Sequence, residues 1–351
     1  MTARILTRRS VLRAAAAGSA LIGAPFIHRR ANASETLYVN TWGGAWEESA
    51  TKHLFRPFTA KTGIEIKTTS PVSYAKLAAQ ARTGKYDFDV TTLAGPEAVQ
   101  AAPERLLEPI DGSIIDQASL PAGSIIENAV ASHVFSTNIV FDRRKLPAGA
   151  VDSWKAFWDV GKNPGLRSLP RYGQRFVPIA LLADGVAKSA LYPPDIDRAF
   201  RSLDRIKPHV AVWWTQGSQS QQLIQDGEVS AIGIWHTVAL VLIKRGVPLE
   251  LVWNEAKLDR TYWGVSRGTP RAKAAWQFVN FAIQPQALGG FCTDTSYGPA
   301  YPKAFEHIPQ ESAGMMPTYP DNIKLCFEED SVSIGTALTG IMRRFNTWVQ
   351  S

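Results

Sequence analysis

The sequence predicts an α/β fold of two lobes, each a mostly parallel sheet flanked by helices, and three observations carry that prediction. Short β-like runs alternate with amphipathic helical segments, a rhythm that implies parallel strands with helices on both faces. The rhythm restarts after "HVFSTNIVFD", His133 to Asp142. The chain is 351 residues long, enough for two such units.

The elements follow in order. Thr36 to Asn40 reads as a strand, and Ala45 to about Arg56 as a helix with Trp46, Ala50, Leu54 and Phe55 on one apolar face. Gly63 stops that region, and "GIEIKTT" supplies an alternating strand. "YAKLAAQARTG" is a helix ending at Gly84, and "YDFDVTTLAG" a strand running into a turn of small residues. In the second half "LRSLP", Leu166 to Pro170, is a strand, and two helices at roughly 176–184 and 195–206 precede "VAVWW". "EVSAIGIW" is another strand and "HTVALVLIKRG" the helix after it.

Ligands of open α/β sheets bind beyond the carboxyl ends of the strands. The residues to inspect are therefore Trp42-Gly43-Gly44, Thr92 to Gly95, Phe135-Ser136-Thr137, Arg171-Tyr172, Thr215 to Ser220, Trp235-His236 and Asp259 to Tyr262. The first group poses a question. "YVNTWGGAWEES" puts two indoles where a strand turns into a helix, although such turns usually carry small polar residues. Either both rings bury, or one waits for a ligand.

The first 33 residues read as a cleaved export signal: Arg8-Arg9 in a basic stretch, an apolar run from Ala14 to Ile27, and Ala31-Asn32-Ala33 as a cleavage site. The arginine pair points to the twin-arginine route. Removing the segment's six arginines takes 38 basic residues to 32, against 31 acidic ones. The high pI thus belongs largely to the signal, and the charge case for a nucleic-acid or membrane surface disappears. A soluble periplasmic protein is expected.

Chemistry is conspicuous by what is missing. The six histidines show no metal-ligand spacing, and there is no G-x-S-x-G elbow, Walker loop or G-x-G-x-x-G after a strand. Neither an enzyme, a metal site nor a cofactor is expected. Cys292 and Cys326 are the only cysteines, and their spacing leaves a disulfide and two buried thiols equally open.

The ordered set "YVNTWGGAWEES…FTAKTGIEI", "AQARTGKYDFDVTTLAGPEAV", "RLLEPID", "VDSWKAFWD", "LIQDGEVSAIGIWH", "AAWQFVNFAIQPQAL" and "SYGPAYPKAF" resembles the extracellular solute-binding proteins of ABC transporters, in the spermidine/putrescine-binding branch. The resemblance implies a monomer of the type II periplasmic binding-protein fold, its two lobes joined by crossing strands, closing on a small molecule and delivering it to an ABC permease. It also implies lobe 1 at 34–142 plus 262–303 and lobe 2 at 143–261 plus 304–351, hinged near 142–146 and 258–262. Trp42 falls where those relatives set a tryptophan against the ligand's methylenes and ammonium, and Trp235 matches a second such aromatic. Gly43 and Gly44 would let backbone approach the ligand. Trp46, on the apolar helix face, is expected in the core.

The departures bear on the ligand. Where polyamine binders carry acids after the first strand of lobe 2, this chain has "RYGQRF", with Arg171 and Arg175. A desolvated guanidinium facing a dication costs several kcal/mol, whereas arginine suits bidentate recognition of a carboxylate. "TTLAGPE" offers only small groups in place of the relatives' tyrosines. The expected ligand is a small zwitterion of the 4-aminobutyrate kind, with a polyamine as the alternative. Its expected site is Trp42, Gly43, Gly44, Thr92, Phe135, Ser136, Arg171, Trp235 and Asp259, with Arg171 for the carboxylate and Trp42, Trp235 and Asp259 for the ammonium.

Overall fold

In the computed structural model, which describes residues 35–351, eleven strands form one sheet flanked by helices. The expected export signal lies outside the described residues. The strands are β1 (Thr36–Asn40), β2 (Glu65–Thr69), β3 (Val90–Ala94), β4 (Ile125–Ile126), β5 (Ala129–Asp142), β6 (Arg167–Pro170), β7 (Val210–Trp214), β8 (Ala231–Trp235), β9 (Leu249–Val265), β10 (Gly298–Pro299) and β11 (Phe327–Glu328). Their main order is β2-β1-β3-β9-β5-β8-β6-β7. Two parallel triplets, β2-β1-β3 and β8-β6-β7, thus flank a central antiparallel pair.

That pair is the set of crossing strands that the resemblance implies between the two lobes. β5 runs for 14 residues and β9 for 17, and both pass from one half of the sheet to the other. Residues 261–265 of β9 pair with β3, and residues 137–141 of β5 pair with β8. The β5–β9 register shifts between Ala131 and Val134 and again between Thr137 and Ile139. Such irregularities bend and twist a strand locally.

Apolar cores change along the same two strands. One core draws on residues 37–131 and 262–316, and two others on 139–252 with 327–345. A small fourth cluster, Val134, Ala256, Leu258 and Cys326, occupies the crossing itself. The first core therefore extends to Met316, past the boundary at 303 that the sequence suggested.

Local chemistry accounts for the elements that carry the site. Leu37 and Val39 alternate into the core from β1. Gly43 and Gly44 then take φ of 73° and 51°, a region costly for residues with a Cβ, and open the helix Gly44–Ala50. A π-helical turn, Thr51–Phe55, continues it into Arg56–Thr62, and Gly63 caps the end in the left-handed conformation. Trp46, Ala50, Leu54 and Phe55 are all buried on one face, as expected. In the second half, the helix expected at 176–184 begins earlier, at Gly173.

The C-terminal helix, Ser331–Gln350, packs against Gly95–Ala101 at one end and Gly173–Ala183 at the other. Both contacts depend on missing side chains. A Cβ at Gly335 would lie 2.6 Å from Val99 Cβ, and one at Gly173 would lie 2.4 Å from Phe345 Cβ. Cys292 and Cys326 are free buried thiols, which decides between the two readings left open for them. Burial pushes the Cys326 thiol up to about 12 and the Cys292 thiol well above the ordinary range.

Candidate functional site

The ends of β6 and β8 and the middle of β5 bring an aromatic cluster together. Phe135 of β5 meets the edge of Trp235 at 6.5 Å between centroids and Tyr297 at 6.4 Å. Trp235 stacks on Tyr172 at 6.3 Å and stands perpendicular to Trp214 at 5.0 Å. The Tyr172 hydroxyl donates to the Thr215 carbonyl at 2.9 Å, which fixes that ring. Gly217 permits the close fit, because a Cβ there would come within 3.3 Å of Trp235 Cζ3. Trp235 Nε1 in this cluster, and Thr92 Oγ1 in the middle of β3, are buried with no hydrogen-bond partner among the described residues. A buried polar group left unpaired costs about 1–3 kcal/mol.

Beside the rings lies a buried ionic cluster. Asp259 sits directly across the β5–β9 ladder from Phe135. Its Oδ2 is 2.7 Å from Arg175 Nη1, and its Oδ1 accepts from Lys257 Nζ. Lys257 also reaches Glu329 Oε2 at 2.6 Å. Lys257 is 0% exposed and Asp259 4%, so the four charges neutralise one another away from water. The Arg175–Asp259 and Lys257–Glu329 contacts have ion-pair lengths, yet Arg175 Nη1 and Glu329 Oε2 lack a well-angled hydrogen bond. The Arg175 guanidinium also lies 4.9 Å over Phe135 and 5.9 Å from Tyr172. Burial pushes the Glu329 carboxyl up despite the opposing pull of Lys257. Glu97 faces the same region; burial raises its carboxyl, while the Ala94 N–H bonded to it at 3.0 Å and the Arg175 charge pull the other way. A narrow crevice of about 10 Å³ is lined by Glu97, Gln174, Arg175, Asp259 and Glu329. A larger groove, of about 630 Å³, lies away from these residues, around Lys52, Phe281 and Gln284.

His236 ties three elements together. Its Nδ1 accepts the Ser136 N–H at 3.1 Å, and Nε2 sits 2.9 Å from the Ser296 carbonyl. The neutral ring protonated on Nε2 satisfies both contacts. Burial lowers its pKa to about 4, and lowers that of His133, stacked on Tyr297 at 4.5 Å, to about 3.

Phe135, Ser136, Trp235 and Asp259 thus gather in one place, whereas Thr92 lies in the middle of β3, paired with Trp263 of β9. Trp42 stands apart at 55% exposure with no ring contact to a described residue, beside Gly43 and Gly44. Trp46, at 6%, packs on Phe291 and Trp263 as expected. Arg171 is exposed and has no ion pair with a described residue, although its N–H is anchored to the Trp214 carbonyl at 2.8 Å. Asp259 differs from expectation: both its oxygens are engaged by Arg175 and Lys257, so it is not open to a ligand ammonium. Sequence reasoning marked Tyr172 and His236 as strand-end positions but gave them no role, and it missed Tyr297 and the inward reach of Arg175. The spacing of Arg175 four residues after Arg171 was its one available signal. Among the described residues no group of three or more His, Cys, Asp or Glu is placed to hold a metal, and no helix is long and apolar enough to cross a membrane.

The histidines make stability depend on pH with a definite sign. An unfolded histidine takes up its proton near pH 6.5, whereas buried His236 holds out to about 4. The unfolded state therefore binds more protons between those values, and stability falls as pH drops through that window. We expect the urea midpoint to decrease from pH 7 to pH 5, with His236 contributing about 2 kcal/mol. His236→Gln should flatten that slope. An unchanged slope in the variant would show that His236 does not couple folding to pH.

Residues 53–318 match the family described as bacterial extracellular solute-binding protein. Over 338 residues the chain is 32% identical to the gamma-aminobutyric acid-binding protein of Pseudomonas aeruginosa, covering 93% of this chain and 95% of that one. Its structure is similar to that of an ABC transporter substrate-binding protein from Bradyrhizobium japonicum USDA 110, with TM-score 0.86, 31% identity, and 90% and 99% of the two chains covered. The Atu4243–GABA receptor is similar at TM-score 0.84 and 30% identity, with 90% of this chain and 98% of that chain covered. The match across most of its length and the shared architecture make this chain a member of the bacterial extracellular solute-binding protein family.

Proposed function

We propose that this chain is the periplasmic receptor of an ABC importer and captures a small zwitterion of the 4-aminobutyrate class. The observation that carries the reading is the division of charge. Arg171 is an exposed, unpaired guanidinium beside the aromatic wall of Tyr172 and Trp235, while the nearby acid Asp259 is already neutralised. A ligand with one carboxylate and one ammonium matches that arrangement: the carboxylate on Arg171, and the ammonium against Trp235 and exposed Trp42. Trp235 Nε1 and Thr92 Oγ1 offer unpaired polar atoms for the remaining contacts. The gamma-aminobutyric acid-binding relatives support the same class. Family membership supports the periplasmic location and the permease partner.

The first core supports lobe 1 as residues 34–142 plus the stretch from 262, with the final exchange of lobes after Met316. Lobe 2 takes the remainder. The register shifts in β5 at Ala131/Val134 and Thr137/Ile139 support a bend within the crossing strands themselves.

Three outcomes test the reading. In calorimetry, wild type should bind 4-aminobutyrate, and Arg171→Ala should lose roughly 2–5 kcal/mol, at least about thirtyfold in affinity. Trp42→Ala should lose about 1–3 kcal/mol, since ring contact is weaker than a desolvated ion pair. Tight putrescine binding with no carboxylate-bearing ligand bound would replace this reading with a polyamine one. In solution scattering, the radius of gyration should fall on saturation; a constant value argues against lobe closure. For export, Arg8→Lys with Arg9→Lys should hold the precursor in the cytoplasm, and N-terminal sequencing of the periplasmic wild type should begin at Ser34. Periplasmic protein starting at Met1 would rule out a cleaved twin-arginine signal.

A further inference from the structure

An acid walled by aromatic rings is a seat for a cation, because Coulomb attraction acts from one side and ring faces from the others. Asp259, Phe135 and Tyr172 make such a seat, and the protein's own side chain fills it. The Arg175 guanidinium lies 2.7 Å from Asp259, 4.9 Å over Phe135 and 5.9 Å from Tyr172. We propose that Arg175 is a specificity-determining internal cation: it occupies the position a second ligand ammonium would take, and so excludes diamines from the site.

A comparison within the chain separates this arginine from a structural one. Buried Arg167 donates to three backbone carbonyls, those of Phe157, Gly165 and Asn163, and is fastened by the fold. Arg175 has no such anchor among the described residues. Its guanidinium meets only a carboxylate and two rings, the partners a soluble cation would have, and its contact with Asp259 lacks hydrogen-bond alignment. The side chain is 13% exposed and borders the crevice shared with Glu97, Gln174 and Glu329.

Charge balance gives the mechanism of exclusion. Arg175 and Lys257 offset Asp259 and Glu329. A further buried cation would find only the Glu97 carboxyl, whose burial already favours its neutral form, and desolvating the cation costs several kcal/mol. Without Arg175 the same cluster keeps one net negative charge, still faced by Phe135 and Tyr172, with a void of an arginine side chain's length opening beside it. Putrescine has a comparable length and a cationic end to fit.

The inference rests on the zwitterion reading only for what the unaltered site binds. Its test uses the mature chain as wild type, Arg175→Ala and Arg175→Gln, titrated with putrescine, n-propylguanidinium and 4-aminobutyrate by calorimetry and thermal shift. Both variants should bind putrescine at least tenfold more tightly than wild type, and n-propylguanidinium should stabilise Arg175→Ala while leaving wild type unmoved. Folded variants that bind putrescine no better than wild type overturn the proposal. If Arg175→Ala does not fold, Arg175→Gln decides alone; if neither folds, Arg175 is a structural ion pair and the proposal falls. The 4-aminobutyrate arm judges the other reading separately. A wild type that ignores 4-aminobutyrate, with variants that gain putrescine, removes the ligand assignment and leaves the role of Arg175 standing.

Discussion

The antiparallel pairing of β5 with β9 is the constraint on which the rest depends. Each flanking triplet is parallel, and parallel strands need long crossovers that keep a unit self-contained. Two such units would be separate domains on a tether. β5 and β9 instead pass through both, exchange backbone hydrogen bonds with each other along most of their length, and hand the chain from one core to the next. The same ladder sets the site. Phe135 and Asp259 face each other because they are register partners, and Lys257 lies on the face of Asp259 because side chains repeat every two residues along a strand.

Placing Lys257, Asp259, Glu329 and Arg175 together in the interior is not explained by stability. Four buried charges suffer desolvation that their mutual attraction barely offsets, and a well-packed apolar set of equal volume would often hold the fold as well or better. Removing one member is another matter, since it strands a partner without its counter-charge. A cluster of this kind is sensitive to what enters it, which is a property a receptor can use and a core cannot. Its location at the strand crossing puts that sensitivity beside the aromatic cluster of Phe135 and Trp235.

Much of the fold could be read from the sequence because periodicity reports burial. β1 and the helix after it, with Trp46, Ala50, Leu54 and Phe55 inward, follow from spacing alone. Trp235 was legible for a different reason: it ends a strand, where ligands of such sheets bind. The failures have physical causes too. β9 was not recognisable as a 17-residue strand because its early residues are half-buried and its later ones fully so, which hides any single alternation. The engagement of Asp259 could not be foreseen, since Glu329 and Arg175 reach the cluster from distant segments. Arg175 received no partner from the sequence because Asp259 and Phe135 meet it from distant strands, while Arg171, just before the helix that begins at Gly173, stays exposed.

Pairs of identical residues show how position assigns chemistry in this chain. Trp42 and Trp46 are four residues apart, yet Gly43 and Gly44 break the chain direction between them, leaving one ring at 55% exposure and the other at 6%. Arg167 opens β6 and Arg175 lies in the helix that follows it; the first is held by the backbone carbonyls of Phe157, Asn163 and Gly165, and the second meets Asp259, Phe135 and nearby Tyr172. In each pair one member is satisfied by the fold; of the others, Trp42 is left facing solvent and Arg175 meets an acid and two rings. The distinction lies in the partners and not in the residue type. Indole surface facing water gains little, and a guanidinium without backbone anchors has only its counter-ion to hold it. On the proposed function, those are the side chains whose environment would change most when a solute arrives, and selectivity among solutes would concentrate in them.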